Sequence, residues 1–143
     1  MTVKAILSRK GNDTVTIEPT ASIAAAVKLL TERGIGAVIV TSPSGEVVGI
    51  LSERDIVRVL AAKGTEALGL SVENSMTRRV VSCSESDTTA VLMERMTTGK
   101  FRHIPVLEEG RLIGVVSIGD IVKHRLEEVG RESDAMRDYI LTA

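Results

Sequence analysis

A chain of 143 residues and 15.3 kDa holds one compact unit or two very small ones, which excludes a large multidomain enzyme. Its 18 Lys and Arg against 19 Asp and Glu leave a formal charge of −1, so no global basic field exists to hold nucleic acid. With 43% hydrophobic but only 1% aromatic residues, the core must be built from Ala, Val, Ile, Leu and Met. The single Cys83 cannot form an intramolecular disulfide, and MTVKAILSRK at the N-terminus lacks the apolar stretch of a signal peptide. No apolar run approaches the roughly 18 residues of a membrane span, so a soluble, cytoplasmic protein is expected.

In chain order, Thr14 to Ile17 reads as a short strand. Ile23, Val27 and Leu30 then share one face of an amphipathic helix, with Thr20 or Ser22 to cap it and Gly34 to end it. Ala37 to Val40 and Glu46 to Leu51 are branched-residue strands joined by a Pro/Gly turn, which predicts a hairpin. Ser52 opens a second helix carrying Ile56, Val57 and Leu60, ending near Lys63-Gly64. The second half repeats the β-α-β-β-α order: a strand Val80 to Cys83, a helix near Thr88 to Thr98 ended by Gly99, strands His103 to Leu107 and Leu112 to Val116, and a helix from Ser117. Ala135, Met136, Tyr139 and Ile140 have helical spacing in an otherwise charged tail. They predict a final amphipathic turn or two that packs on the core, with a subunit contact as the alternative.

The two halves are copies of each other. Gly45, Gly49, Ser52, Asp55, Ile56 and Val57 recur 65 positions later as Gly110, Gly114, Ser117, Asp120, Ile121 and Val122. Val15, Ala24 and Val40 recur 66 positions later, and the one-residue slip falls in the hairpin turn, where length changes are tolerated. The organisation expected is a first repeat over 1–64, a connector over 65–75, a second repeat over 76–130 and a helical tail over 131–143. A unit of this size is marginal alone, so the fold class expected is α/β (α+β), two pseudo-symmetric repeats packed through their sheets on one shared core.

The repeated Gly-x-x-Ser-x-x-Asp places Ser and Asp at the first turn of a helix just after a strand. One reading is a capping box, in which the hydroxyl takes an amide of the first turn and the carboxylate returns to the N-cap amide, commonly worth about 1 kcal/mol. A ligand site is the other. Gly119 sits inside the first turn, where glycine costs about 0.5 to 1 kcal/mol against alanine. Arg102 and His103 begin a strand, and helix N-termini favour phosphate.

These elements resemble the cystathionine β-synthase (CBS) domain family, small regulatory modules that occur as tandem pairs and bind adenine nucleotides. The resemblance rests on the doubled signature, the strand His103-Ile104-Pro105-Val106 and Ser75-Met76-Thr77. It implies that Asp55 and Asp120 accept hydrogen bonds from ribose hydroxyls and that Ser52 and Ser117 contact ribose or phosphate. Thr77, with the backbone around Ser82 and Arg102 to Ile104, would frame adenine; Arg102 and His103 would hold phosphate, and Arg54 is a further phosphate candidate. AMP is the foremost ligand implied, with ATP or NAD as the others, and a homodimer acting on an effector protein is expected. The first half has Ile35-Gly36-Ala37-Val38 in place of the basic pair and proline, so its site is expected to be the weaker. Ser8-Arg9-Lys10 would stand in for Ser75 to Arg78, with a spacer longer by Gly11-Asn12.

Other chemistries find little support. The only histidines, His103 and His124, form no catalytic or metal-ligating set, and no phosphate loop is present. Neither catalysis nor a metal is expected. Cys83 reads as a small buried hydrophobe, and His124, between Lys123 and Arg125, as part of a solvated face. The competing function is an interaction or scaffold protein whose signature residues are only helix caps. Nucleic-acid binding would rest on Arg78-Arg79 and Lys123-His124-Arg125 alone.

Overall fold

Each half folds as a helix, a hairpin and a second helix; the structure, a computed structural model, describes residues 1–11 and 13–142. Asn12 of the longer spacer and Ala143 of the tail lie outside the described residues. The order is α1 (Val3–Lys10), β1 (Thr16–Ile17), α2 (Ile23–Arg33), β2 (Ala37–Thr41), β3 (Val47–Ser52) and α3 (Glu53–Lys63). Two 3-10 turns, Gly64–Gly69 and Val72–Asn74, lead to α4 (Thr89–Gly99), β4 (His103–Glu108), β5 (Arg111–Ser117) and α5 (Ile118–Thr142).

Local chemistry accounts for most boundaries. Ser22 caps α2 by accepting from the Ala25 amide, and Gly34 closes it in the left-handed region at φ 62°. At α4 the stop is shifted from the expected Gly99: Lys100 takes the left-handed position at φ 58°, while Gly99 is still helical and lies under the Phe101 ring, where a Cβ would collide. β2 and β3 pair antiparallel with Val40 opposite Gly49, and β4 and β5 repeat this with Val106 opposite Gly114.

The expected leading strand of the second half is almost absent. β1 pairs in parallel with β2 at Thr16 and Ile17, but in the second half only Cys83 bridges Val106. The sheets therefore have three and two strands.

The buried side chains form two clusters, one per half, and each half lends a segment to the other. Val3, Ile6 and Leu7 of α1 pack with Leu92, Met96, Ile104, Val106, Val116 and Ile121 of the second half. Val72 and Met76 pack with Ile23, Leu30, Val38, Leu51 and Ile56 of the first. The exchange is symmetric: Val3 and Leu7 stand 69 positions before Val72 and Met76. Thr2 bridges Thr88 just as Ser71 bridges Ser22, both at helix N-caps. Burying such side chains contributes roughly 1.5 to 3 kcal/mol each, so neither half keeps its core without the other's segment.

The tail is not a separate turn or two packed on the core. It continues α5 as one 25-residue helix through Gly130, and every described side chain from 129 to 141 is exposed. His124, expected on a solvated face, is instead 5% exposed under α1, and its Nε2 has no hydrogen-bond partner among the described residues. No helix among the described residues is long and apolar enough to cross a membrane.

Candidate functional site

The two signatures sit at the N-termini of α3 and α5, and both form complete capping boxes. Ser52 Oγ accepts from the Asp55 amide at 3.3 Å while Asp55 Oδ2 accepts from the Ser52 amide at 2.9 Å. In the second half the distances are 3.1 Å from the Asp120 amide to Ser117 Oγ and 2.8 Å from the Ser117 amide to Asp120 Oδ2. Each cap uses Oδ2, which leaves lone pairs on both carboxylates for further donors.

The exchanged segments supply those donors, and here the two halves diverge. Thr77 lies against the first signature: its Oγ1 donates to Asp55 Oδ1 at 3.2 Å, and its backbone pairs with Ile50 in both directions at 2.8 and 2.9 Å. Asp55 is only 5% exposed, with Arg58 Nη1 at 3.6 Å. At the equivalent place in the second half stands Lys10, whose Nζ donates to Asp120 Oδ2 at 2.6 Å and to the Val115 carbonyl at 2.7 Å. Burial pushes the Asp120 carboxyl up, but the hydrogen bonds from Lys10 and the Ser117 amide, with the ammonium charge, outweigh it and hold it below the usual carboxylate range.

The halves meet where their hairpins begin. His103 pairs with Ser117 across β4 and β5, as Ala37 pairs with Ser52 across β2 and β3. The Ile118 amide donates to the Arg102 carbonyl, and the Glu53 amide to that of Gly36. A Cβ on Gly36 would lie 3.5 Å from Glu53 Oε1 and 3.6 Å from His103 Cε1, so that glycine lets the second half's imidazole and the first half's helix N-terminus approach. The imidazole is harder to protonate than usual: burial lowers it first and Lys10 second, Asp120 and Glu53 oppose this, and Arg102 lowers it further.

A stability consequence follows. The unfolded chain takes a proton near the ordinary value of 6.5, before His103 does in the fold, so stability falls as pH drops through 6.5. Asp120 acts in the same direction at lower pH, since its lowered pKa gives stability that is lost once the carboxylate is protonated. Thermal melts between about pH 8 and pH 5.5 should show a falling Tm, and His103→Gln should flatten the fall. An unchanged slope would remove His103 as its source.

The remaining expected residues are more dispersed. Ile104 is buried in β4 opposite Val116, and the Ser82 carbonyl accepts from Arg95 Nη1 at 3.3 Å. Arg54 does cross to the second half, but its Nη1 donates to the Lys100 carbonyl at 3.1 Å and so closes the C-terminus of α4. Gly119 would place a Cβ 3.5 Å from Ser117 Oγ, an ordinary contact, so packing does not demand a glycine there. Lys10 and Arg58 were missed as partners of the two aspartates. The signal for Lys10 was its place just after Ser8-Arg9, which falls on Thr77-Arg78 at the 69-residue offset. Lys10 and Asp120 also border a cleft of about 90 Å³ with Ile6, Arg9, Lys123, His124 and Glu127. A larger open groove of about 630 Å³, between α4 and the middle of α5, contains none of the expected site residues. Cys83 is buried, and burial, reinforced by Asp87, pushes its thiol up to about 11, so it is a packing residue and no nucleophile.

Comparison with known proteins bears on both fold and site. The CBS domain family model matches residues 3–62 and 71–127. The chain is 34% identical over 119 residues to the mitochondrial CBS domain-containing protein CBSX3 of Arabidopsis thaliana, covering 80% of this chain but 58% of that longer protein. It is similar in structure to the CBS-domain protein ATU1752 from Agrobacterium tumefaciens, with TM-score 0.85 and 51% identity over 87% of this chain and 92% of that one. Protein PAE2072 from Pyrobaculum aerophilum, solved with AMP, gives TM-score 0.75 at 25% identity, covering 84% of this chain and 89% of that one. The CBS pair of protein MJ0100, solved with 5-methylthioadenosine and S-adenosyl-L-methionine, gives TM-score 0.80 at 26% identity, covering 90% and 98%. The doubled family match, the solved neighbours and the exchanged pseudo-symmetric halves agree that the chain belongs to the CBS-domain family, as a tandem CBS pair.

Proposed function

We propose that the chain is an adenine-nucleotide-sensing regulatory module, with AMP as its foremost ligand and no catalytic activity of its own. The observation that carries this reading is the second signature. There a capped carboxylate, Asp120, is bonded by the Lys10 ammonium and acts on the nearby His103 imidazole, with Arg102 the residue before that histidine. A ribose cis-diol offers two donors to one carboxylate, and the 5′-phosphate at the other end of the sugar takes charge-assisted hydrogen bonds from cations. The adenosine ligands of the PAE2072 and MJ0100 pairs support the same ligand class. Nucleotide binding between halves that share segments would alter how α1 and the 70–77 segment hold the two cores together, which is the change a partner protein would read.

Calorimetric titration of the purified chain with AMP, adenosine, ATP, NAD and S-adenosylmethionine tests the reading. Saturable binding of AMP with recovery of unchanged nucleotide is expected. The roles read for the site residues are to bind ribose and phosphate, so prolonged incubation with ATP and magnesium should release no phosphate. Absence of binding by every adenine compound overturns the proposal. It would favour the scaffold reading, for which the two complete capping boxes are the supporting observation.

A further inference from the structure

The repeat breaks at the residue that follows each signature serine. Ser52 is followed by Glu53 and Ser117 by Ile118, at the same 65-residue offset that pairs the two helix starts. Their backbones act alike: the Glu53 amide donates to the Gly36 carbonyl at 3.0 Å and the Ile118 amide to the Arg102 carbonyl at 2.8 Å. The side chain is therefore free to differ, and in the first half it is a carboxylate. An acid in the first turn favours the dipole of α3, but Asp55 of the capping box already supplies one. The position of the Glu53 carboxylate in space says more. Its Oε1 and the Cε1 of His103 converge on one point, since a Cβ on Gly36 would lie 3.5 Å from the first and 3.6 Å from the second. No ion pair or side-chain hydrogen bond neutralises this carboxylate among the described residues. Its field reaches the ring: burial and then Lys10 make His103 harder to protonate, while Asp120 and then Glu53 pull the other way.

The charges around His103 decide what an acid there would do. Lys10 and Arg102 act on it as cations, and Asp120 and Glu53 as anions. With a ribose on Asp120 and a phosphate at Arg102 and His103, Glu53 is the negative charge of that set left to meet the phosphate. A monophosphate is accepted because the two cations outweigh one carboxylate; each further phosphate brings more negative charge to the same place, where the carboxylate repels it. The first site has no such filter, since Ala37 and Ile118 hold the places of His103 and Glu53. We propose that Glu53 is a specificity-determining residue of the Asp120 site, whose carboxylate reaches across the seam from the first half, limits the negative charge accepted there and selects a nucleoside monophosphate over the triphosphate. This rests on the nucleotide reading above and adds to it the residue that sets the choice among nucleotides.

Calorimetry of the full chain and of Glu53→Gln with adenosine, AMP and magnesium-free ATP, at low salt and again at about 0.5 M salt, tests this. A unit charge several ångström away in wet surroundings changes affinity by about threefold, so the response should be graded by ligand charge. Glu53→Gln should leave adenosine unchanged, tighten AMP by about threefold or more and tighten ATP further, with both gains shrinking at high salt. Glu53→Ile, which copies the second half, should behave the same way, and Glu53→Asp, which keeps the charge, should keep the parent's order of ligands. Thermal melts record any loss at the start of α3 separately, and such a loss would not sort three ligands by their charge. An equal change for all three ligands, or an unchanged ratio of ATP to AMP affinity while AMP still binds, overturns this proposal and leaves the nucleotide reading standing. Failure of the parent chain to bind any of the three overturns both.

Discussion

Gly49→Val is expected to be the most destabilising single substitution in the first half outside its apolar core. A Cβ at Gly49 would lie 2.5 Å from Met76 Sδ, 2.9 Å from Met76 Cγ and 3.0 Å from the Thr77 carbonyl oxygen. The methionine end can turn aside, but the carbonyl cannot, because it accepts the Ile50 amide at 2.9 Å and fixes the exchanged segment to β3. The branched side chain therefore either breaks that bridge or lifts Val72 and Met76 out of the first core. Overpacking of this kind costs roughly 1 to 3 kcal/mol, which in a chain of this length lowers Tm by about 5 to 10 °C. Gly114→Val repeats the experiment in the second half, where a Cβ would meet Leu7 Cδ2 at 2.7 Å and would push on α1. Only side-chain atoms oppose it there, so the smaller loss is expected. Gly119→Ala is the control: with ordinary contact distance and helical backbone it should leave Tm unchanged or raised by a degree or two. A Gly49→Val protein as stable as the parent would mean that the exchanged segment does not pack as described.

This glycine shows how far the sequence could be read. The 65-residue recurrence exposed the repeat, and with it the hairpins, the helix order and both capping boxes, because these depend on neighbours in the chain. What recurrence could not show was why Gly49 and Gly114 belong to the signature: the atoms that forbid a side chain come from the opposite half. The same non-local cause hid α1, since Val3, Ile6 and Leu7 find their apolar partners some 80 or more positions away. It also misplaced His124, whose neighbours in sequence are cations but whose neighbours in space belong to α1. The strand expected at Val80 to Cys83 has the right residues, and only Cys83 reaches the sheet, an asymmetry for which the structure offers no local cause. In the tail the helical period was legible; whether it faced a core was a question of where the body ends, which periodicity does not contain.

The largest functional effect is expected at Asp120. The two signatures share their capping boxes and differ in their borrowed donor, a neutral Thr77 hydroxyl at Asp55 and the Lys10 ammonium at Asp120. With Arg102 and His103 also confined to the second half, that site is expected to bind AMP the more tightly, since one charge-assisted hydrogen bond contributes roughly 1.5 to 3 kcal/mol, more than tenfold in affinity. Asp120→Ala should then abolish the tighter phase in calorimetry and Asp55→Ala should leave it, with a thermal melt on each because both also lose a helix cap. Lys10 sharpens the test, because it plays against itself. While bound to Asp120 it competes with a ribose hydroxyl for the carboxylate, and once displaced it stands free for phosphate. Lys10→Ala should therefore raise the affinity for adenosine, which gains an uncontested carboxylate, and lower the preference for AMP over adenosine. Arg102→Ala should lower that preference without the gain for adenosine, since the Arg102 side chain takes no part in the hydrogen bonds of Asp120. If Asp120→Ala lowers Tm but leaves AMP affinity intact, the aspartate is a cap and nothing more. If Lys10→Ala weakens adenosine and AMP alike, Lys10 holds the site together by joining α1 to the second signature and does not compete for it.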